Sequence, residues 1–490
     1  MDVQARRNPR SRRRILWFLM VFAVAGLLVA AAGCGGGDGG QEAAPPATEA
    51  PPTEAPPAEE PPAEEPPAEE PAECSVEGVD DGEINVFAAA DTPSAVIGEN
   101  ISPAGHGRMS QLWLNRTNEA GGLLGCPVTF TVEDDTFDIP TCVRQYRDAL
   151  ASGKYDFFVG PTNSGCMAAL PELTSAAGEW LFSGIAADHQ PFFENFTPFV
   201  AHASVSTFLE GRTAAVFAQQ QGWKRVAIMV PNYAYGQDVG KGFKGYYSQI
   251  VPDGQVVDEQ FPEFDEDNFT PFINAMVGKD PDGILTAFFS SFILPFVPQW
   301  KDSGNDANIS VISGLAVFDT MAGFKSAGDV AQNFYGYDRG NYALLQQNPV
   351  GKEYLDLWVE AYGDEFPLPD SFAYQLLGTW QMAKALVEQT QSVDPAKWKA
   401  LIETGTFAFD GPYSAGPTYV NPINHMADSC ASVGKIVFDE ARGVGSYDPA
   451  SFVVACMHDV LGVEEAVQLT DNPDVTQEAI DAYYAATSGG

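Results

Sequence analysis

Asp156-Phe157-Phe158-Val159 is a short, largely apolar run that stops at Gly160-Pro161-Thr162-Asn163-Ser164-Gly165. Four such residues are too few for a helix and read as a buried strand, and the glycines and proline behind them read as a loop. Outward from this point the pattern repeats. Residues 140–151 read as a helix, and residues 127–132 as a strand ended by Glu133-Asp134-Asp135. Further upstream, residues 105–118 read as a helix with Met109, Leu112 and Trp113 on its apolar side. Residues 84–89 read as a buried strand. Downstream, another helix precedes Trp180-Leu181-Phe182-Ser183. This strand–helix alternation predicts a mostly parallel sheet with helices on both faces.

The rhythm then restarts. Residues 207–221 read as a helix, and residues 225–230 as a strand running into Pro231-Asn232-Tyr233-Ala234-Tyr235-Gly236. Residues 283–289 and 309–313 are further strands. Two consecutive α/β units predict two lobes. In open α/β sheets ligands bind beyond the carboxyl ends of the strands, so the loops there are the place to look.

The 490 residues carry a net charge of −40, which excludes a phosphate-neutralising surface for nucleic acid or for anionic lipid headgroups. The charge is uneven. Arg6, Arg7, Arg10, Arg12, Arg13 and Arg14 precede an unbroken apolar run at 15–32, then small residues and Cys34. That is the layout of an export signal, expected over 1–33. Gly-rich and then Pro-Pro-Ala-Glu-Glu sequence over 34–73 lacks the apolar groups to fold. As an extended polyproline segment it would reach on the order of 100 Å. Six cysteines follow Cys34: Cys74, Cys126, Cys142, Cys166, Cys430 and Cys456. An even number in an exported domain favours disulfides, and spacing alone leaves their pairing open. Without close Cys pairs or H-E-x-x-H, no metal site is expected. No G-x-S-x-G, Walker or G-x-G-x-x-G motif is present, and the expectation is a protein without enzymatic activity or cofactor.

Several segments share an order with one family. Asn118-Glu119-Ala120-Gly121-Gly122-Leu123-Leu124-Gly125 resembles the first-lobe signature of the leucine/isoleucine/valine-binding proteins. Gly160-Pro161-Thr162-Asn163-Ser164, Ala234-Tyr235-Gly236-Gln237 and Phe407-Ala408-Phe409-Asp410-Gly411-Pro412 resemble its later loops. Cys34 behind small residues resembles the lipobox of bacterial lipoproteins, with Ala31 where Leu is preferred. The resemblance implies a type I periplasmic-binding-protein fold: two Rossmann-like α/β lobes with central parallel sheets, joined by a three-crossover hinge. Lobe one is expected at 74–203 and 336–417, lobe two at 204–335 and 418–465, and a C-terminal extension at 466–490. It implies an extracytoplasmic substrate-binding component of an ABC importer. This component is expected to be lipid-anchored through Cys34 to the outer face of the cytoplasmic membrane, monomeric, and partnered by permease subunits. A lipoprotein that senses a ligand and signals to a membrane receptor is the alternative. The family often bridges the positions held by Cys142 and Cys166, so that disulfide is implied, with Cys74–Cys126 and Cys430–Cys456 as the other pairs.

The resemblance also implies where a solute is held. Thr162, Asn163 and Ser164 match a loop that grips a carboxylate; the other reading of that loop is a turn whose side chains cap the next helix. Ala186 matches the second loop. Ala187 stands where the family usually has Thr, and Asp188 adds a negative charge. Tyr235 matches a tyrosine that covers the ligand, and Phe289, with Phe288 and Phe292, flanks the neighbouring loop. The acid that anchors an ammonium group in the family falls near Gly314-Leu315, with Asp319 four residues on. The resemblance implies capture of an amino acid or an amino-acid-like or aromatic small solute in the interlobe cleft. These departures count against an ordinary α-amino acid and leave room for a cation-bearing or aromatic one, which Asp188 and the aromatic residues could serve.

Overall fold

The structure, a computed structural model, describes residues 73–90, 105–186, 188–314, 334–339, 347–363, 368–413, 416–439 and 444–487. The expected export signal, Cys34, the linker up to residue 72, Ala187, Leu315 and Asp319 lie outside the described residues. Among the described residues no helix is long and apolar enough to cross a membrane.

The first sheet contains β1 (Ile84–Ala90), β2 (Val128–Asp134), β3 (Phe157–Val159), β4 (Leu181–Ser183) and β5 (Val200–His202). All pairs are parallel, in the order β2-β1-β3-β4-β5. Helices α1 (Ser110–Glu119), α2 (Ile139–Ser152), α3 (Ser164–Met167) and α4 (Leu170–Ala177) link the strands. The helix read at 105–118 begins as one wider π-helical turn, Gly105–Met109, before α1. Capping explains the limits of α2: the Asp138 carboxylate accepts from Thr141 N at 2.9 Å, and Gly153 closes the other end at φ 60°.

The second lobe runs α5 (Thr207–Gln220), β6 (Arg225–Met229), α6 (Ala234–Ile250), β7 (Gln255–Gln260), α7 (Thr270–Val277), β8 (Gly283–Thr286), α8 (Phe296–Asp302), β9 (Ser310–Ser313) and β10 (Phe334–Asp338). The chain then returns to the first lobe with α9 (Pro349–Tyr362), α10 (Ser371–Thr390) and α11 (Pro395–Ile402). A short antiparallel pair follows, β11 (Ala408–Phe409) with β12 (Thr418–Tyr419). β13 (Cys430–Asp439), β14 (Val444–Tyr447) and β15 (Val453–Cys456) complete the second sheet, ordered β14-β13-β10-β9-β8-β6-β7 with β15 also on β13. Its strands from β6 to β10 are parallel, and β13 adds antiparallel.

Two stretches of secondary structure fall at the expected boundaries. Phe334, Tyr335 and Gly336 pair with β9, and β10 runs on to Asp338, past the lobe boundary expected at 335. α12 (Met457–Val460) and α13 (Val463–Leu469) follow β15, and the expected C-terminal extension, 466–490, holds the end of α13 and α14 (Gln477–Thr487), with Tyr483 fully buried.

Alternation along the strands fills both faces of each sheet. Phe157 packs on Trp380 and Trp398, and its neighbour Phe158 packs on Tyr146 and Phe87. Trp380 of α10 stacks on Trp113 of α1 at 4.8 Å, tying the returning helix to the first lobe. In β6, Ala227 and Met229 join a core with Phe296 and Trp300, while Ile228 faces α6. Among the described residues three disulfides form: Cys74–Cys126, Cys142–Cys166 between α2 and α3, and Cys430–Cys456 between facing residues of β13 and β15.

Helices α5 and α6 touch backbone to backbone. A Cβ on Gly211 would lie 2.1 Å from Val239 O, and one on Gly242 would lie 2.0 Å from Phe208 O. No side chain fits either place without parting the helices. Gly240, on the same helix, has its nearest neighbour at 3.6 Å. Gly211→Ala and Gly242→Ala are each expected to destabilise by about 1–3 kcal/mol through overpacking. Gly240→Ala should be neutral or gain up to about 1 kcal/mol of helix propensity. Urea unfolding of the three variants checks the contrast.

Candidate functional site

The two sheets present their carboxyl ends to one another, and the loops there meet. In the first lobe, Thr162, Asn163 and Ser164 follow β3 and are all buried. Asn163 is the cap of α3: its Oδ1 accepts from Gly165 N (2.8 Å) and Cys166 N (3.4 Å), and its Nδ2 donates to Phe137 O (3.0 Å). That side chain is committed to backbone, the capping reading of the loop. Ala186 N donates to Pro161 O at 3.2 Å, so the two first-lobe loops are fastened together.

The loop after β2 supplies a residue that sequence reasoning missed. Thr136 and Phe137 take left-handed conformations, φ 52° and 59°. Such residues cost on the order of 1 kcal/mol each and persist only where their surroundings enforce them. Here Asp134 and Asp135 carboxylates accept from Thr136 N and Phe137 N, both at 2.8 Å. The result projects Phe137 onto Phe264 of the second lobe, stacked at 5.6 Å. Phe264 also contacts Tyr233 (5.0 Å) and Phe289 (5.5 Å). Tyr235 meets Phe289 edge-on at 5.4 Å, and Phe289 reaches Phe372 of α10 at 6.1 Å. Tyr235 and Phe289 are thus brought together, inside a ring of aromatic residues drawn from both lobes.

Beneath these rings lies a buried ion pair. Arg339 directly follows β10 and is 1% exposed; Glu210 of α5 is 2% exposed. Arg339 Nη2 donates to Glu210 Oε2 at 2.8 Å. Its Nη1 crosses to the first lobe, donating to Ile185 O (3.1 Å) and to Gln375 Oε1 of α10 (2.8 Å). The Tyr235 hydroxyl donates to Glu210 Oε1 at 3.0 Å. Burial pushes the Glu210 carboxyl above its ordinary value, and Arg339 opposes that. Arg339 Nε and the hydroxyls of Ser313 and Ser371 make no hydrogen bond. A cavity of about 10 Å³ lined by Glu210, Thr286, Gly314 and Tyr337 is the space beside the pair, room for about one water. Among the described residues the lobes touch through the Phe137–Phe264 stack and the Arg339–Ile185 hydrogen bond. Arg339, Glu210 and Gln375 carry no local motif, and nothing in the sequence marks them.

Asp188 is turned another way. Its carboxylate accepts from Gln190 N at 3.2 Å and lies beside Asp238 of α6. Burial, then the charge of Asp238, pushes its carboxyl up to about 6.

Residues 104–442 match the family model described as periplasmic binding protein. A search of curated proteins gives no significant match. Among solved structures, the chain is similar to a solute-binding protein of an ABC transporter from Rhodopseudomonas palustris HaA2 in complex with p-hydroxybenzoic acid. The TM-score is 0.66 at 17% identity, over 76% of this chain and 98% of the other. It is similar to one from R. palustris BisB5 in complex with 3,4-dihydroxybenzoic acid, with TM-score 0.64, 17% identity and coverages of 77% and 98%. It is also similar to an ABC-type branched-chain amino acid transporter protein from R. palustris CGA009, with TM-score 0.61, 15% identity and coverages of 76% and 96%. The chain belongs to the periplasmic binding protein family, whose members act outside the cytoplasm.

Two outcomes are expected of this site. Arg339→Met leaves Glu210 buried without a counter-charge and should cost about 3–5 kcal/mol, whereas Glu210→Gln with Arg339→Met should cost less than the sum of the single changes. A double-mutant cycle by urea unfolding of ligand-free protein measures this. Burial raises the Asp135 carboxyl to about 6 in the folded state, from an ordinary value near 3.8. A raised carboxyl gives stability that is present below pH 4 and lost as pH rises to about 6. Asp135→Asn should flatten that part of the decline in unfolding temperature across pH 4 to 6.

Proposed function

We propose that this protein captures a small aromatic carboxylate between its lobes and delivers it to an ABC permease. One observation carries the reading: aromatic residues from both lobes close over a buried arginine. Flat rings suit a flat apolar solute, with offset or edge contacts at 4.5–7 Å. A guanidinium in a dry site suits a planar carboxylate, which it grips with two parallel hydrogen bonds. Arg339 Nε makes no hydrogen bond and stands on the edge of the guanidinium that such a grip uses. The unpartnered Ser313 and Ser371 hydroxyls would bind polar substituents. An α-amino acid is the weaker fit, because Glu210, the acid beneath the rings, is already paired with Arg339 and Tyr235. The benzoate complexes of the two R. palustris proteins support the same ligand class.

In this reading Thr162, Ser164 and Ala186 line the first-lobe side, Tyr235 and Phe289 cover the solute, and Asn163 holds the Phe137 loop in place. The solute stabilises the shut state, since only there does it touch both lobes. The permease then distinguishes loaded from empty protein. Lipid on Cys34 holds the chain to the outer face of the cytoplasmic membrane, the linker gives it reach, and the chain acts as a monomer without catalysis. The layout of residues 1–73 supports the anchor.

Thermal unfolding against benzoate, hydroxybenzoates, phenylalanine and leucine tests the ligand class. Benzoates at 100 times their Kd should add about 2.7 kcal/mol of stability. Arg339→Lys, which keeps the charge but not the fork, should lose most of that gain. Saturable stabilisation by leucine with none from any aromatic acid would overturn the assignment.

A further inference from the structure

Away from the aromatic ring, the two lobes meet at a second polar cluster. Asp188 and His189 stand in the loop after β4, and Asp238 is on α6 of the other lobe. All three are buried, and one ligand atom from each lies within 4.8 Å of the others. His189 is 3% exposed. Its Nδ1 sits 2.9 Å from Asp238 Oδ2, yet this buried nitrogen makes no hydrogen bond. A hydrogen bond needs the N–H aimed at the oxygen. Two ligands of one small cation are arranged differently: with metal–ligand lengths near 2.1 Å they sit about 3 Å apart, and their lone pairs converge beside the line that joins them. A close approach with the N–H off the line to the oxygen fits two atoms turned toward one cation.

The surroundings agree. His189 Nε2 faces Glu194 Oε1 at 3.4 Å, the outer carboxylate that commonly orients a metal-bound imidazole and leaves its other nitrogen free to ligate. Lys241 Nζ lies 3.7 Å from that same Glu194 oxygen and offsets its charge. Thr207 Oγ1 donates to Asp238 Oδ2 at 3.3 Å, holding the second-lobe ligand in place. Asp188 and Asp238 are two carboxylates side by side, an arrangement that calls for a cation or a shared proton between them.

We propose that Asp188, His189 and Asp238 bind one divalent metal ion of the zinc class, completed by water, across the seam between the lobes. One imidazole and two carboxylates suit Zn²⁺, whereas Ca²⁺ and Mg²⁺ prefer oxygen alone. Because the ligands come from both lobes, the ion stabilises the shut state. The cluster lies apart from Arg339, so the proposal stands whether or not the solute is an aromatic acid. Spacing rules for metal motifs miss it because the two halves join only through the fold.

The test is calorimetric titration of the metal-stripped full chain with Zn²⁺, and with Ca²⁺ and Mg²⁺ in parallel, followed by metal analysis of the desalted protein. One Zn²⁺ per chain, with neither Ca²⁺ nor Mg²⁺ competing, is the expected result. His189→Gln and Asp238→Asn should each weaken binding more than about 100-fold, and Glu194→Gln about 10- to 100-fold. His458→Gln, which alters the separate His458–Asp428 pair, should leave it unchanged. Zn²⁺ should raise the unfolding temperature of the wild-type chain and not that of His189→Gln, which separates lost binding from lost folding. Sub-stoichiometric Zn²⁺, or binding that survives both His189→Gln and Asp238→Asn, would overturn the site and leave a proton shared by the two carboxylates.

Discussion

A positive charge buried between two lobes constrains much of this molecule. Arg339 needs Glu210 as counter-ion, and it also needs acceptors from the first lobe, Ile185 O and Gln375 Oε1. Those groups come from four separate places: the end of β10, α5, the loop after β4, and α10. They converge only when both sheets are complete and the lobes are shut. Burying an isolated ion costs several kcal/mol, so each missing partner would be felt. The pair therefore sets the register in which the lobes meet. Opening trades its first-lobe hydrogen bonds for water, and a solute anion arriving at Arg339 would compete with Glu210 for the same guanidinium.

The supports of this pair reach into the helices. Glu210 adjoins Gly211, where α5 lies against the backbone of α6. Tyr235, in the first turn of α6, then meets Glu210 at 3.0 Å. Backbone contact between two helices is thus a means of placing a hydroxyl beside a carboxylate. The strained Thr136–Phe137 turn plays the corresponding part in the first lobe, where two carboxylates and Asn163 hold an aromatic ring over the cleft.

Much of the architecture was legible because it rests on local patterns. Phe157-Phe158-Val159 is apolar on both faces because both faces are covered, and the loop behind it follows from its glycines and proline. The end of β10 was not legible: Phe334 to Asp338 contains Tyr, Gly and Asp, and only pairing with Val311 and its neighbours makes it a strand. Asn163 illustrates a competition. A polar side chain at a helix start serves a ligand or a cap, and here its Oδ1 accepts from two backbone amides. Arg339 was invisible because its value lies in partners as much as 154 positions away. Asp188 was singled out as a charge near a cleft, but the fold turns it toward Asp238 instead.

The disulfide between Cys74 and Cys126 has a mechanical consequence. Cys74 is the first cysteine among the described residues, and β1, a central strand of the first sheet, begins only ten positions later at Ile84. A pull arriving through the preceding chain would otherwise peel that strand from both neighbours. The covalent bond instead passes the load to Cys126, just before β2, so tension bypasses the hydrogen bonds that hold β1 in the sheet.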